Sequence, residues 1–233
     1  GADSDFTIPL ARKAVKTKTA FRLMISGLRG GHSGINIHEG RANAVKMLAR
    51  VLGQAQAKHS FALYRMEGGN KHNAIPREAW ADFYVEPAKI KGFSSFLQAA
   101  GDQIKAEYRV VEPGMKWTLA PVEPGVKDIP LTPKSQKTLL DFLVCCPHGV
   151  VSMHAEISGL VETSTNLAVL RTAKDKARIL CSSRSSVGSA LAALRAGLKS
   201  LADLCGAKVR QPSGYPGWTP NLQSTLLQKM KTV

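Results

Sequence analysis

The sequence predicts an α+β protein built from two related two-layer α/β sandwich units, each an antiparallel sheet with helices packed on one face. Three observations carry the prediction. Strand-type runs alternate with runs at helical spacing, the order strand–strand–helix–strand occurs twice, and a proline-punctuated stretch separates the two occurrences. The expected division is a lead-in over residues 1–20, a first unit over 21–122, a linker over 123–134, a second unit over 135–212 and a flank over 213–233. At 233 residues the chain is long enough to bury a substantial core.

The first 18 residues read as irregular. FRLMIS (21–26) is a β-type run ended by glycines. Ala44, Val45, Leu48, Ala49 and Leu52 then recur at helical spacing, with Gly53 placed to stop the helix. FALYRM (61–66) and REAWADFYVEP (77–87) read as strands on either side of the turn EGGNKHN. Ile90, Phe93, Leu97 and Ile104 share one face of a second helix, and MKWTLAPV (115–122) completes a β-α-β-β-α-β order. After Pro121, Pro124, Pro130 and Pro133 comes a short helix, SQKTLLDFLVCC. GVVSMHAEIS, TSTNLAVLRT and ARILCSSR follow as three successive strands. Leu191, Leu194, Leu198, Leu201 and Cys205 form one helical stripe that Gly206 closes at the C′ position. AKVRQ is a last strand, and STLLQKMKTV begins another helix. The second unit therefore repeats the first with its opening β-α portion degraded.

The net charge of +15 favours polyanions or an acidic partner surface. Only ARKAVKTK (11–18) clusters the basic residues, with no aromatic interleaved, so a solvated basic surface is expected and no nucleic-acid partner. No apolar run approaches the roughly 20 residues that span a bilayer, and GADSDFTIPLARKAVK lacks a secretory signal pattern. Cys145 and Cys146 are adjacent, Cys181 and Cys205 lie in apolar stretches, and no CxxC occurs. Reduced thiols in a cytoplasmic protein are expected.

GLRGGHSG (27–34) sets four glycines around His32. Glycine permits close backbone approach and positive φ, so the run is a phosphate cradle, a strand-ending turn or a mount for one imidazole. The GxGxxG spacing is absent and no GK[ST] follows, which weighs against phosphate. No HExxH occurs, and the six histidines, at 32, 38, 59, 72, 148 and 154, are dispersed. His154 and Glu156 have strand spacing but no third ligand nearby, and His59 and His148 are expected at turns with exposed rings. GxSxG is missing, which weighs against Ser33 as a nucleophile beside His32. A presented histidine and a satisfied loop imidazole remain.

GLRGGHSGINIHEGRANAVKMLARVL, NKHNAIPREAWADF, GLVETSTNLAVL, ILCSSRSS and SGYPGWTPN occur in that order. This combination resembles the bacterial aminoacyl-histidine (Xaa-His) dipeptidases, carnosinase-type members of the two-zinc metallopeptidases, from about Asp5 onward. In that family a catalytic domain is interrupted by a lid of dimerisation-domain type, and these residues correspond to the lid with short flanks. The family's HxD pair, paired-glutamate segment and late ligand histidine have no counterpart here. The resemblance therefore implies that both zinc ions are held by a catalytic domain outside these residues. This chain would hold no metal and be inactive alone, and its partners would be that domain and a dipeptide.

The family's lid histidine falls on His32, whose imidazole N–H would stabilise the oxyanion that forms as the scissile carbonyl is attacked. Family lids also carry an asparagine before xxP and an arginine at the end of the next strand. In the first unit the asparagine is Asn73, while Tyr84 stands at the arginine position. In the second unit Asn166 and Arg184 keep both, but no GGHSG is present. The resemblance thus implies His32 from one unit, and Asn166 and Arg184 from the other, with Arg184 suited to the substrate carboxylate. Two rival readings are a self-association module forming a homodimer without chemistry, and a basic polyanion-binding domain.

Overall fold

In ADSDFTIP, Ala2, Ser4, Phe6 and Ile8 are buried and alternate with partly exposed residues, so this segment is a strand, β1 (Ala2–Pro9), rather than an irregular lead-in. The protein is seen as a computed structural model that describes all residues except 17–18, 126–127, 218–223, 226–228 and 231–233. The helix expected in STLLQKMKTV and the end of SGYPGWTPN fall largely outside the described residues.

After β1 the chain forms β2 (Ala20–Ser26), β3 (Gly31–His32), α1 (Ala44–Gln56), β4 (Ala62–Gly68), β5 (Ala74–Ile75), β6 (Ala79–Tyr84), α2 (Ile90–Glu107) and β7 (Lys116–Val122). It continues with α3 (Pro133–Cys145), β8 (Gly149–Met153), β9 (Val161–Thr172), β10 (Lys176–Ser185), α4 (Gly188–Leu204) and β11 (Lys208–Arg210). Local chemistry sets the helix ends. Asn43 caps α1, its side chain accepting from Lys46 N, and Thr132 caps α3 ahead of Pro133. Past α4, Ala207 N donates to Ala202 O and Gly206 N to Asp203 O, with Gly206 at φ +63, a Schellman closure. Gly53 does not stop α1. It lies inside the helix, where an added Cβ would sit 2.9 Å from Val144 Cγ2, so glycine there lets α1 and α3 approach closely.

Among the described residues the long strands form one nine-stranded antiparallel sheet, β11-β1-β10-β9-β4-β6-β2-β7, with β8 added beside β9. Phe6, Ile8, Leu23, Ile25, Leu63, Phe83, Leu167 and Ile179 meet buried residues of all four helices in a single core. The other face carries a mixture of charged, polar and aromatic side chains. There Arg22 pairs with Asp82 at 2.7 Å, and Trp80 lies between the guanidinium groups of Arg22 and Arg65.

The pairing pattern reveals how the two units are connected. In the first, β2 pairs with β6 and β7, and β4 with β6. In the second, β1 pairs with β10 and β11, and β9 with β10. Residues 2–9 are thus the opening strand that the second unit was expected to have lost, and α3 is its first helix. The whole first unit is inserted between that strand and that helix. The units join through corresponding parts: β4 pairs antiparallel with β9 at Glu67–Arg171 and Gly68–Leu170, and α1 packs along α3. Equivalent parts meeting each other is the arrangement of a two-fold dimer interface, here formed within one chain.

Candidate functional site

The loop from Gly27 to Ala42 carries His32. Its short strand β3 pairs with β5 in a separate two-stranded ribbon, and Ser33 N donates to Asn73 O at 2.8 Å. Polar side chains brace the loop internally. Asn36 accepts from His32 N at 2.9 Å and donates to Glu39, while Arg41 pairs with Glu39 and donates to Gly30 O at 2.5 Å. A Cβ on Gly31 would press on both Arg41 and Asn36, and its φ of +136° suits glycine alone.

His32 is half-buried, and its Nδ1 accepts from Gly34 N at 3.1 Å. With Nδ1 an acceptor, the proton of the neutral ring is assigned to Nε2, which has no hydrogen-bond partner among the described residues and is free to donate. The ring borders an open cleft of about 630 Å³, lined also by Asn73, Arg29, Arg77, Arg171 and Trp80.

Arg184, near the end of β10, reaches the same turn from the second unit. A Cβ on Gly34 would lie 3.1 Å from Arg184 Cζ and 3.1 Å from His32 Cε1, so the guanidinium and the imidazole flank one glycine. Arg184 Nε is buried without a hydrogen-bond partner among the described residues. Asn166 is almost wholly buried on β9; its Nδ2 donates to Ala74 O at 2.8 Å, tying the second unit to the ribbon beside His32. Its Oδ1 finds no partner among the described residues. All four residues singled out in the sequence therefore gather at the ribbon, His32 and Asn73 from one unit, Asn166 and Arg184 from the other.

The chain is similar in sequence and fold to known proteins. Residues 23–112 match the family described as a peptidase dimerisation domain. Over 232 residues, 99% of this chain, the sequence is 33% identical to the cytosol non-specific dipeptidase of Escherichia coli strain K12, covering 47% of that protein. The fold matches the aminoacylhistidine dipeptidase of Vibrio alginolyticus with a TM-score of 0.93 and 30% identity, over 97% of this chain and 46% of that one. The chain thus spans about half the length of these relatives. The dimerisation-domain match falls within the first unit; the second reproduces its strand order with β1 supplied from the far side of the insertion.

Among the described residues no three His, Cys, Asp or Glu side chains converge. The described residues thus offer no ligand set for a zinc ion. No helix among them is long and apolar enough to cross a membrane. His148, expected to be exposed, is half-buried, with Nδ1 3.2 Å from Asn43 Nδ2. The four cysteines are free thiols, Cys146 and Cys181 with sulfurs 3.4 Å apart. Sequence reasoning missed the Asn36–Glu39–Arg41 brace, although all three stand in the motif around His32.

Proposed function

We propose that this chain is the lid of a metal-dependent, cytoplasmic Xaa-His dipeptidase, closing over a two-zinc site held by a catalytic domain outside these residues. The observation that carries the proposal is the meeting of His32 and Arg184 around Gly34, from different units of the fold. His32 presents Nε2–H to the oxyanion, the tautomer being set by the Gly34 N–H at Nδ1. Arg184 holds the substrate's terminal carboxylate in a two-pronged pair. Asn73 borders the cleft beside His32, and Asn166, itself buried, keeps the ribbon in place. The basic charge of the lid favours closure over a carboxylate-rich metal cleft.

In the enzyme containing these residues, His32→Ala is expected to lower kcat by about 10²–10³ with little change in KM, because an oxyanion exists only near the transition state. Arg184→Ala is expected to raise KM, and a dipeptide amide, lacking the carboxylate, should be insensitive to it. Reversed effects of the two changes would refute the assignment. The chain by itself is expected to hydrolyse no dipeptide, with or without added zinc; chelator-sensitive Xaa-His cleavage by the pure chain would contradict this.

The second reading, self-association, is favoured by the dimerisation-domain match. Against it, the strand and helix that would meet a second copy, β4 and α1, already meet β9 and α3. The free outer strand β7 carries Lys116 and Pro121, which discourage edge-to-edge pairing. Sedimentation of the chain as a monomer at tens of micromolar would favour the lid reading; a stable dimer would favour the other.

A further inference from the structure

Glu112 belongs to the turn between α2 and β7 and is 1% exposed. A carboxylate withdrawn from water must find partners. Both of its partners are backbone N–H groups: Oε2 accepts from Arg29 N at 2.7 Å and Oε1 from Ala42 N at 2.9 Å. Arg29 and Ala42 stand at the two ends of the segment that holds His32. One side chain therefore closes that loop at its base, as a hydrogen-bonded clasp.

The backbone is shaped for this approach. A Cβ on Gly27, where φ is +73°, would collide with the Gly114 carbonyl oxygen, and one on Gly114 would lie 2.8 Å from Gly27 O. The turn bearing Glu112 thus rests directly against the start of the loop. Asn36, Glu39 and Arg41 brace the loop to itself. Glu112 fastens it to the body of the first unit.

We propose that Glu112 is a positioning residue for His32: by holding both ends of the loop it fixes where the imidazole Nε2–H points. This rests on the reading of His32 as the oxyanion donor. Two variants separate geometry from charge. Glu112→Gln keeps the length and gives up one acceptor, whereas Glu112→Asp keeps the charge and is one methylene too short to reach both N–H groups.

Hydrogen exchange is followed in this chain at the Arg29 and Ala42 amides, with Leu48 and Leu180 as references. Both variants are expected to speed exchange at Arg29 and Ala42 by about ten- to a hundredfold, as for one lost charge-assisted hydrogen bond, and to leave the references unchanged. In the proposed full-length enzyme, kcat is expected to fall about tenfold or more while KM stays within about twofold. Unchanged exchange at both loop amides overturns the clasp. Equal acceleration at the references, including loss of the fold, shows a general stabiliser and also overturns it. If the loop loosens and kcat holds while His32→Ala lowers it, the positioning role fails; if His32→Ala itself leaves kcat unchanged, the oxyanion reading is what fails.

Discussion

His148 shows what one half-buried side chain contributes. Burial, and then the charge of Lys46, push its pKa from 6.5 down to about 4. Between those values the unfolded chain binds a proton that the folded chain refuses, so stability rises with pH across this window. The contribution is complete above about pH 6.5 and is lost as the pH falls through 4. The shift corresponds to at most about 3 kcal/mol, reduced by the partial exposure of the ring. His148→Gln is expected to flatten the fall in urea midpoint between pH 6.5 and 4; an unaltered slope would show that other groups dominate. Asn166 is a second case. Asn166→Ala removes the bond to Ala74 O and should cost roughly 1–3 kcal/mol. Exchange at the Ser33 amide, which bonds within the same ribbon, should quicken with it.

Among the elements, α1 and α3 depend on Gly53. Alanine is favoured over glycine inside a helix by about 1 kcal/mol, but here its methyl meets Val144 Cγ2. Gly53→Ala is therefore expected to yield little or no stabilisation alone, and close to the full helix gain in a Val144→Ala background. A double-mutant cycle by chemical denaturation measures the coupling, and additivity would place Gly53 away from the contact. Lys46 adds a cross-brace at the same junction. Its ammonium donates to the carbonyls of Leu143, Val144 and Cys146 and so caps the end of α3 from α1.

For the whole molecule, the decisive feature is that the second unit is interrupted by the first. β1 pairs with β10 along its entire length, from Ala2–Ser183 to Pro9–Lys176. Deleting residues 1–10 is expected to strip β10 and β11 of their shared partner and abolish protection throughout the second unit. Residues 20–122, whose own four strands of the main sheet are complete, should retain theirs. Hydrogen exchange of the truncated chain checks this, and retained protection in β10 would contradict it. Such distant pairing also requires a large loop to close, which makes folding slow relative to a chain of local contacts.

Nearly every strand and helix was legible because alternation at period two and spacing at 3.6 are local properties of the chain. The family resemblance carried by GLRGGHSG, NAIP, TNLAVL and SSRSS singled out His32, Asn73, Asn166 and Arg184, which the fold gathers at one ribbon. β1 alternates just as regularly, but its partner strand β10 lies far away in sequence, so nothing local shows what it pairs with. What the sequence could not decide was which strand sits beside which. Pairing β1 with β10, or β4 with β9, depends on a core assembled from both units at once, and no local pattern encodes that assembly. The same holds for Glu112 and Gly53. A buried carboxylate bonded to two distant amides, and a glycine opposite a valine of another helix, take their meaning from neighbours that only the folded chain brings within reach.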